Sequence, residues 1–296
     1  TLSCAYSGKV GPEPAKLKPF VDQANAADKS LAFAATHPLG THAMLLRYWL
    51  GVGGIHPDVD VSMTTVPPPA MVAGLRREYL DGLCVGEPWN GLAVSEHVGF
   101  TAITSQEIWR DHPEKVCAVT EAFAAENPRT VKALCRALHE ASVWLDEPAN
   151  RPAAARILSA AHYVNAPADV IEGRLCGRVI YGDGRERDFG DGGMTFSRRN
   201  ANYPQLKHVI WWLTQVRRWG MAEGPIEYEK IARRVARFDL YEQAMREAGY
   251  TGFAEDRGVE VLFDGHGFDP ADPEAYARSF RVNTLTNEPA SAVENA

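Results

Sequence analysis

The sequence has no run of about 18 apolar residues, the length that would mark a transmembrane helix. It also has no basic stretch leading into an apolar one at its start, which excludes a visible secretory leader, and it has no initiator Met. Lys and Arg number 31 against 38 Asp and Glu, a formal net charge of -7 with a pI of about 5.7, which excludes a general binder of nucleic acid or anionic membranes. The five cysteines, Cys4, Cys84, Cys117, Cys135 and Cys176, form no CxxC and no Cys/His cluster at zinc-ligand spacing. Their odd number excludes a complete disulfide framework, and they read as small buried apolar residues. GxSxG, HExxH, the P-loop and a glycine-rich dinucleotide turn are all missing. What is present is an ordinary globular composition, 45% hydrophobic and 23% charged over 296 residues, enough for two lobes.

The most informative stretch is SLAFAATHPLGTHAMLLRYWL, Ser30 to Leu50. An apolar run from Leu31 to Ala35 breaks at Thr36, passes Pro38 and Gly40, and restarts at His42 with Met44, Leu45, Tyr48 and Trp49 at helical spacing. This predicts strand, loop, helix. The first turn of a helix has N–H groups without intrahelical partners and the positive end of the dipole. Thr41 as N-cap and His42 in the first turn would add a hydroxyl and an imidazole, a donor set suited to a small anion. Most capped helix starts bind only water, so this stretch leaves both readings open.

The alternation continues. Residues 1 to 18 are Pro/Gly-punctuated and predict a crossing segment or loop, and Phe20 to Ala27 a short helix. Val59 to Val66 reads as a second strand and Ala70 to Tyr79, after three prolines, as a helix. Leu83 to Val85 is a buried third strand that delivers Gly86, Glu87, Pro88, Trp89 and Asn90 at its end, followed by a helix from Asn90 to Val98 and a fourth strand from Phe100 to Thr104. Such alternation predicts a parallel sheet with ligands at the carboxyl ends of its strands. Thr36 to His42 and Gly86 to Asn90 both lie at such ends.

Beyond Ser105 a charged, Trp-containing turn leads to a short apolar segment read as a strand before Thr120. Within it, Lys115 is an ammonium that could lean into a cleft, or a solvated surface lysine. Helices are expected near 128 to 146, 151 to 161 and 167 to 177, then a long loop from Tyr181 to Tyr203. Asp183, Asp188 and Asp191 in that loop fit neither an EF-hand nor a nonapeptide calcium repeat, so no metal is expected. A helix from Pro204 through Trp219 carries Val209, Trp212, Leu213, Val216 and Trp219 on one face, a core pattern. A helical region from Tyr228 to Ala248 precedes a Gly/Asp/Pro-rich tail.

Catalytic readings are thin. His42 and Cys84 could be folded together as base and nucleophile, yet Cys84 lies inside an apolar strand, where a structural thiol is expected. His37, His56, His112 and His162 sit in turn-like contexts that suit surface or capping roles. Glu87, beside a proposed anion site, needs a partner. Arg110 or Lys115 would serve, or a bound cation that in turn holds the anion.

The segments THPLGTHAMLLRYWL, TTVPPPAMVAGLR, DGLCVGEPWNGLAV, IWRDHPEKV and WWLTQVRRWG resemble the nitrate- and bicarbonate-binding solute receptors of bacterial ABC importers. The resemblance runs in one register from about Ser30 to Ala248, and FDGHGFDPADPEAYARSF is similar too. It implies an α/β, type II periplasmic-binding-protein-like fold of two lobes, the first incomplete at the N-terminus because the family's opening segment is not in this chain. That missing segment would leave an apolar face and would carry further ligand contacts, and Thr1 to Tyr6 would lie near its edge, with no role of their own. Carried over by position, the family's anion-contacting histidine falls on His42, its glycine on Gly86 and its lysine on Lys115.

The expected ligand set is therefore His42, Gly86, Lys115, Thr41 and Glu87, with no cofactor and no catalytic group. Retention of the lysine favours nitrate or nitrite over bicarbonate, whose receptors replace the cation and use calcium. The implied protein is a monomeric receptor, periplasmic or membrane-associated, that hands the small inorganic anion to ABC permease subunits and binds no nucleic acid. Residues 1–29 would form a crossing segment and lobe linker, 30–105 the α/β ligand-binding lobe, 106–250 a mainly helical part returning to the other lobe, and 251–296 an extended tail. The rivals are a cytoplasmic nitrate sensor of the same fold, a bicarbonate receptor using calcium, and an enzyme on this fold such as a pyrimidine synthase relative, which the lack of a nucleophile or cofactor-lysine motif disfavours.

Overall fold

The computed structural model describes residues 2–4 and 10–285 of the chain. The short apolar runs become strands because both of their faces find cover. In β2 (Ala32–Ala35) three of four residues are buried, and in β4 (Gly82–Cys84) and β5 (Phe100–Ile103) all are. β1 is Leu2–Cys4 and β3 is Ser62–Thr65, whose more polar residues suit a sheet edge. The sheet order is β3-β2-β4-β1-β5. β2 pairs in parallel with β3 and β4, Ala35 standing opposite Thr65 and Cys84, as the alternation predicts. Of the crossing segment or loop expected at the chain start, Leu2–Cys4 is no loop but an antiparallel strand inserted between β4 and β5.

The helices of this half are α1 (Lys18–Ala26), α2 (Thr41–Val52), α3 (Pro68–Arg76), α4 (Trp89–Ser95) and the single turn α5 (Ser105–Ile108). α2 is the central one, with nine consecutive buried residues from Ala43 to Gly51. α5 opens on a full capping box, Thr104 and Glu107 satisfying each other's backbone N–H groups. The strand expected before Thr120 does not form. Residues 113–120 have no regular structure, since Val116 and Val119 stay exposed and have no sheet edge to join.

The second half holds α6 (Glu121–Glu126), α7 (Pro128–Asp146), α8 (Arg151–Leu158) and α9 (Ala168–Leu175). The expected long loop is in part a hairpin, β6 (Arg178–Ile180) with β7 (Glu186–Asp188). The YGDG turn closes it, with Gly182 and Gly184 in the left-handed region. The hairpin is tied to β5: Thr101 N–H donates to the Tyr181 carbonyl at 2.7 Å, and Arg185 Nη2 donates back to the Thr101 carbonyl at 3.0 Å. Its acidic residues have partners within the chain, Asp183 on Arg185, Asp188 on the Gly190 N–H and Asp191 on Arg198.

α10 (Leu206–Arg218) is buried on more sides than its expected apolar stripe, taking Trp211 and Arg218 inside as well as Leu213 and Val216. The Arg218 guanidinium lies 3.7 Å from the Phe280 ring centre and donates to the Val282 carbonyl. The helical region after it is two helices, α11 (Tyr228–Val235) and α12 (Phe238–Glu247). The tail is not extended over its described length. It folds as a small hairpin, β8 (Glu260–Val261) with β9 (Gly267–Phe268), and α13 (Pro273–Arg278), and delivers Leu262, Phe268, Tyr276 and Phe280 to the main core. Residues 286–296 lie outside the described residues. Among the described cysteines only Cys84 is buried. Cys135 and Cys176 are half-buried and Cys117 is exposed, because the 113–120 segment leaves it in water. No described helix is long and apolar enough to cross a membrane.

Candidate functional site

β2, β4 and β5 end on the same side of the sheet, and the residues that follow each converge. After β2, Gly40 is the N-cap of α2, its N–H bonded to the His37 carbonyl at 3.0 Å. This corrects the N-cap assignment: Thr41 is the first helical residue, and no side chain caps the helix. The first bond of the helix runs from Met44 N–H to the Gly40 carbonyl, so the N–H groups of Thr41, His42 and Ala43 precede the ladder.

His42 is held at both nitrogens. Nδ1 lies 3.0 Å from Thr36 Oγ1, and Nε2 lies 3.1 Å from Glu114 Oε1. Nε2 donates to the carboxylate, and the contacts at the two nitrogens together fix the ring plane. The His42 side chain is 13% exposed. Neither nitrogen is directed at Cys84, whose thiol burial pushes further from ionisation. The base-and-nucleophile pairing is not formed.

After β4, Gly86 provides an open space. A Cβ placed on it would stand 3.8 Å from His42 Nε2 and 4.0 Å from Lys115 Nζ. Lys115, at 77% side-chain exposure, donates to Glu114 Oε1 at 3.0 Å. One carboxylate oxygen thus accepts from both the imidazole and the ammonium. Burial opposes the charge on Glu114, but the hydrogen bonds and charges of His42 and Lys115 outweigh it and hold the carboxyl down at about 2.

Glu87 faces the other way. Its Oε2 accepts from the Gly91 N–H in the first turn of α4 at 3.1 Å and lies 3.4 Å from Arg174 Nε, the two side chains being 10% and 6% exposed. The partner expected for it was Arg110 or Lys115. Arg174, brought in by α9, takes that place, while Arg110 stays in solvent beside Asp111. The charge of this carboxylate is thereby compensated within the protein.

All five expected residues, Thr41, His42, Gly86, Glu87 and Lys115, line one cleft of about 2280 Å³. Glu114 lines it too and was legible only as the neighbour of Lys115. Arg174 gave no local signal. Two further histidines border the cleft, and burial lowers both to about 4. His112 is half-buried rather than on the surface, with Nδ1 2.8 Å from the Pro113 carbonyl, and the His208 ring stands edge-on to Trp109 at 5.6 Å.

Comparison with known proteins places the chain among described relatives. The profile of the NMT1-like family matches residues 1–159. The nitrate/nitrite binding protein NrtA of Nostoc sp. (strain PCC 7120) is 39% identical over 278 residues, 92% of this chain and 63% of that protein. NrtA of Synechococcus elongatus is 38% identical over 280 residues, 94% of this chain and 63% of its own length. The crystal structure of the periplasmic nitrate-binding protein NrtA from Synechocystis PCC 6803 superposes with a TM-score of 0.88 at 33% identity, covering 95% of this chain and 74% of that one. The fold is therefore that of a periplasmic binding protein, and the chain spans about 63% of the length of these two curated relatives.

Proposed function

The chain belongs to the NMT1-like family, and we propose that it is the anion-binding part of an ABC importer's solute receptor, which takes up nitrate or nitrite and delivers it to a membrane permease. One observation carries the reading. The imidazole of His42, the ammonium of Lys115 and the open space at Gly86 meet within about 4 Å, and the chain already holds a planar carboxylate on those donors. The N–H groups of the α2 start add the helix-terminal field to the same end of the cleft. Nitrate and nitrite are small and planar, so fixed donors select them by geometry and exclude larger tetrahedral ions by shape.

In this reading Gly86 gives close backbone approach, His42 donates from Nε2, Lys115 supplies the charge, and Thr41 contributes its N–H. Glu87 has a positioning role through Gly91 and Arg174. Binding involves no bond-making, and the receptor works in the periplasm, as the Synechocystis relative does. A calcium-assisted bicarbonate site is disfavoured because Glu87 is paired with a guanidinium and an ammonium stands opposite. A calorimetric titration with nitrate, compared with bicarbonate plus calcium, tests it. Saturable one-to-one nitrate binding is expected, and binding of bicarbonate only with calcium would overturn the assignment of Lys115.

A further inference from the structure

We propose that Glu114 is a tethered occupant of the anion site: its carboxylate sits on the His42 and Lys115 donors when the cleft is empty and is displaced when the anion binds. The inference rests on the anion-receptor reading above and adds a component to it. A carboxylate is a planar O–C–O group with one negative charge shared over two oxygens, close in shape and charge to two oxygens of nitrate or to nitrite itself. Glu114 Oε1 accepts from His42 Nε2 at 3.1 Å and from Lys115 Nζ at 3.0 Å, the two donors that an anion above Gly86 would need. Two anions cannot share them. Like charges about 4 Å apart repel by about 1 kcal/mol in bulk water and by more in a cleft.

Protonation does not resolve the conflict, since the donors keep Glu114 ionised at any neutral pH. Movement does. Glu114 is 41% exposed on a segment with no helix or strand, so a change of side-chain rotamer frees the donors without breaking any backbone ladder. An occupant of this kind keeps Lys115 and His42 aimed at one point in the empty protein and lowers the net affinity, which assists release.

The test compares wild type, Glu114→Ala and Glu114→Gln by calorimetric titration with nitrate and with formate, a carboxylate without the tether. Thermal unfolding of each protein checks that the fold is retained. Nitrate is expected to bind about tenfold more tightly to Glu114→Ala, with Glu114→Gln between the two. Formate is expected to bind Glu114→Ala and not wild type, as it refills the vacated position. Equal or weaker nitrate binding in both variants, with no formate binding, would overturn the proposal and leave the receptor reading standing. Formate binding to Glu114→Ala with nitrate bound by none of the three would uphold the carboxylate position and overturn the nitrate reading.

Discussion

His42 Nε2 lies 3.8 Å from the point at which a Cβ on Gly86 would stand. That distance is an ordinary van der Waals contact, and Gly86 has no left-handed φ, so alanine fits the protein there. In the proposed site it would crowd the anion. Gly86→Ala is expected to weaken nitrate binding by about tenfold or more while thermal stability stays within about 0.5 kcal/mol of wild type. Titration and a melting curve on the same preparation measure both.

Lys115→Glu reverses the charge of the side chain at this point. Its side chain is 77% exposed, so its pairing with Glu114 contributes little to folding. The expected result is loss of measurable nitrate binding with an unchanged urea midpoint. Unaltered affinity would remove Lys115 from the site.

The pair formed by Glu87 and Arg174 is a stability feature. Both side chains are largely covered, and Glu87 Oε1 and Arg174 Nη1 already lack a hydrogen-bond partner among the described residues. Arg174→Ala leaves a carboxylate uncompensated, and a loss of about 3 kcal/mol in urea unfolding is expected. Arg174→Met combined with Glu87→Gln should recover a large part of it, because no buried charge is then left single.

His208 sets a pH window. Burial lowers it from 6.5 to about 4, so the folded protein keeps it neutral while the unfolded chain takes up a proton below 6.5. The stability it contributes is full above pH 6.5 and is lost as pH falls through about 4. Urea midpoints at intervals from pH 7 to pH 4 should decline, and His208→Gln should reduce the slope in that window by about one proton.

Much of this arrangement was legible because it is local. The apolar runs at Ala32–Ala35, Gly82–Cys84 and Phe100–Ile103 are bounded by turn residues, and the helix after Gly40 has its period in plain view. These fixed where Thr41, His42, Gly86 and Glu87 would stand. Lys115 was read as a cleft ammonium or a solvated lysine, and only the family resemblance favoured the first, since nothing in a segment without period says which way a side chain faces. Glu114 was hidden for the same reason. β1 is three residues long and obtains its place from partners far along the chain, so no window around it carries the signal. The tail's Phe268 lies in a two-residue strand, and Tyr276 and Phe280 lie on and just past a six-residue helix, elements too short to show a period. Their burial is decided by α10, a distant helix.

The antiparallel β1 also acts as a ruler. Gly86 follows β4, and Glu114 and Lys115 follow β5, yet β4 and β5 do not touch, because β1 lies between them. Their separation is two inter-strand spacings, about 9.6 Å. The backbone ladder therefore fixes how far apart the two strand ends stand from which Gly86 and the segment after β5 depart. In the proposed receptor, exchange of one oxyanion for another would therefore fall to side chains borne on these two sides, with the order of the sheet unchanged.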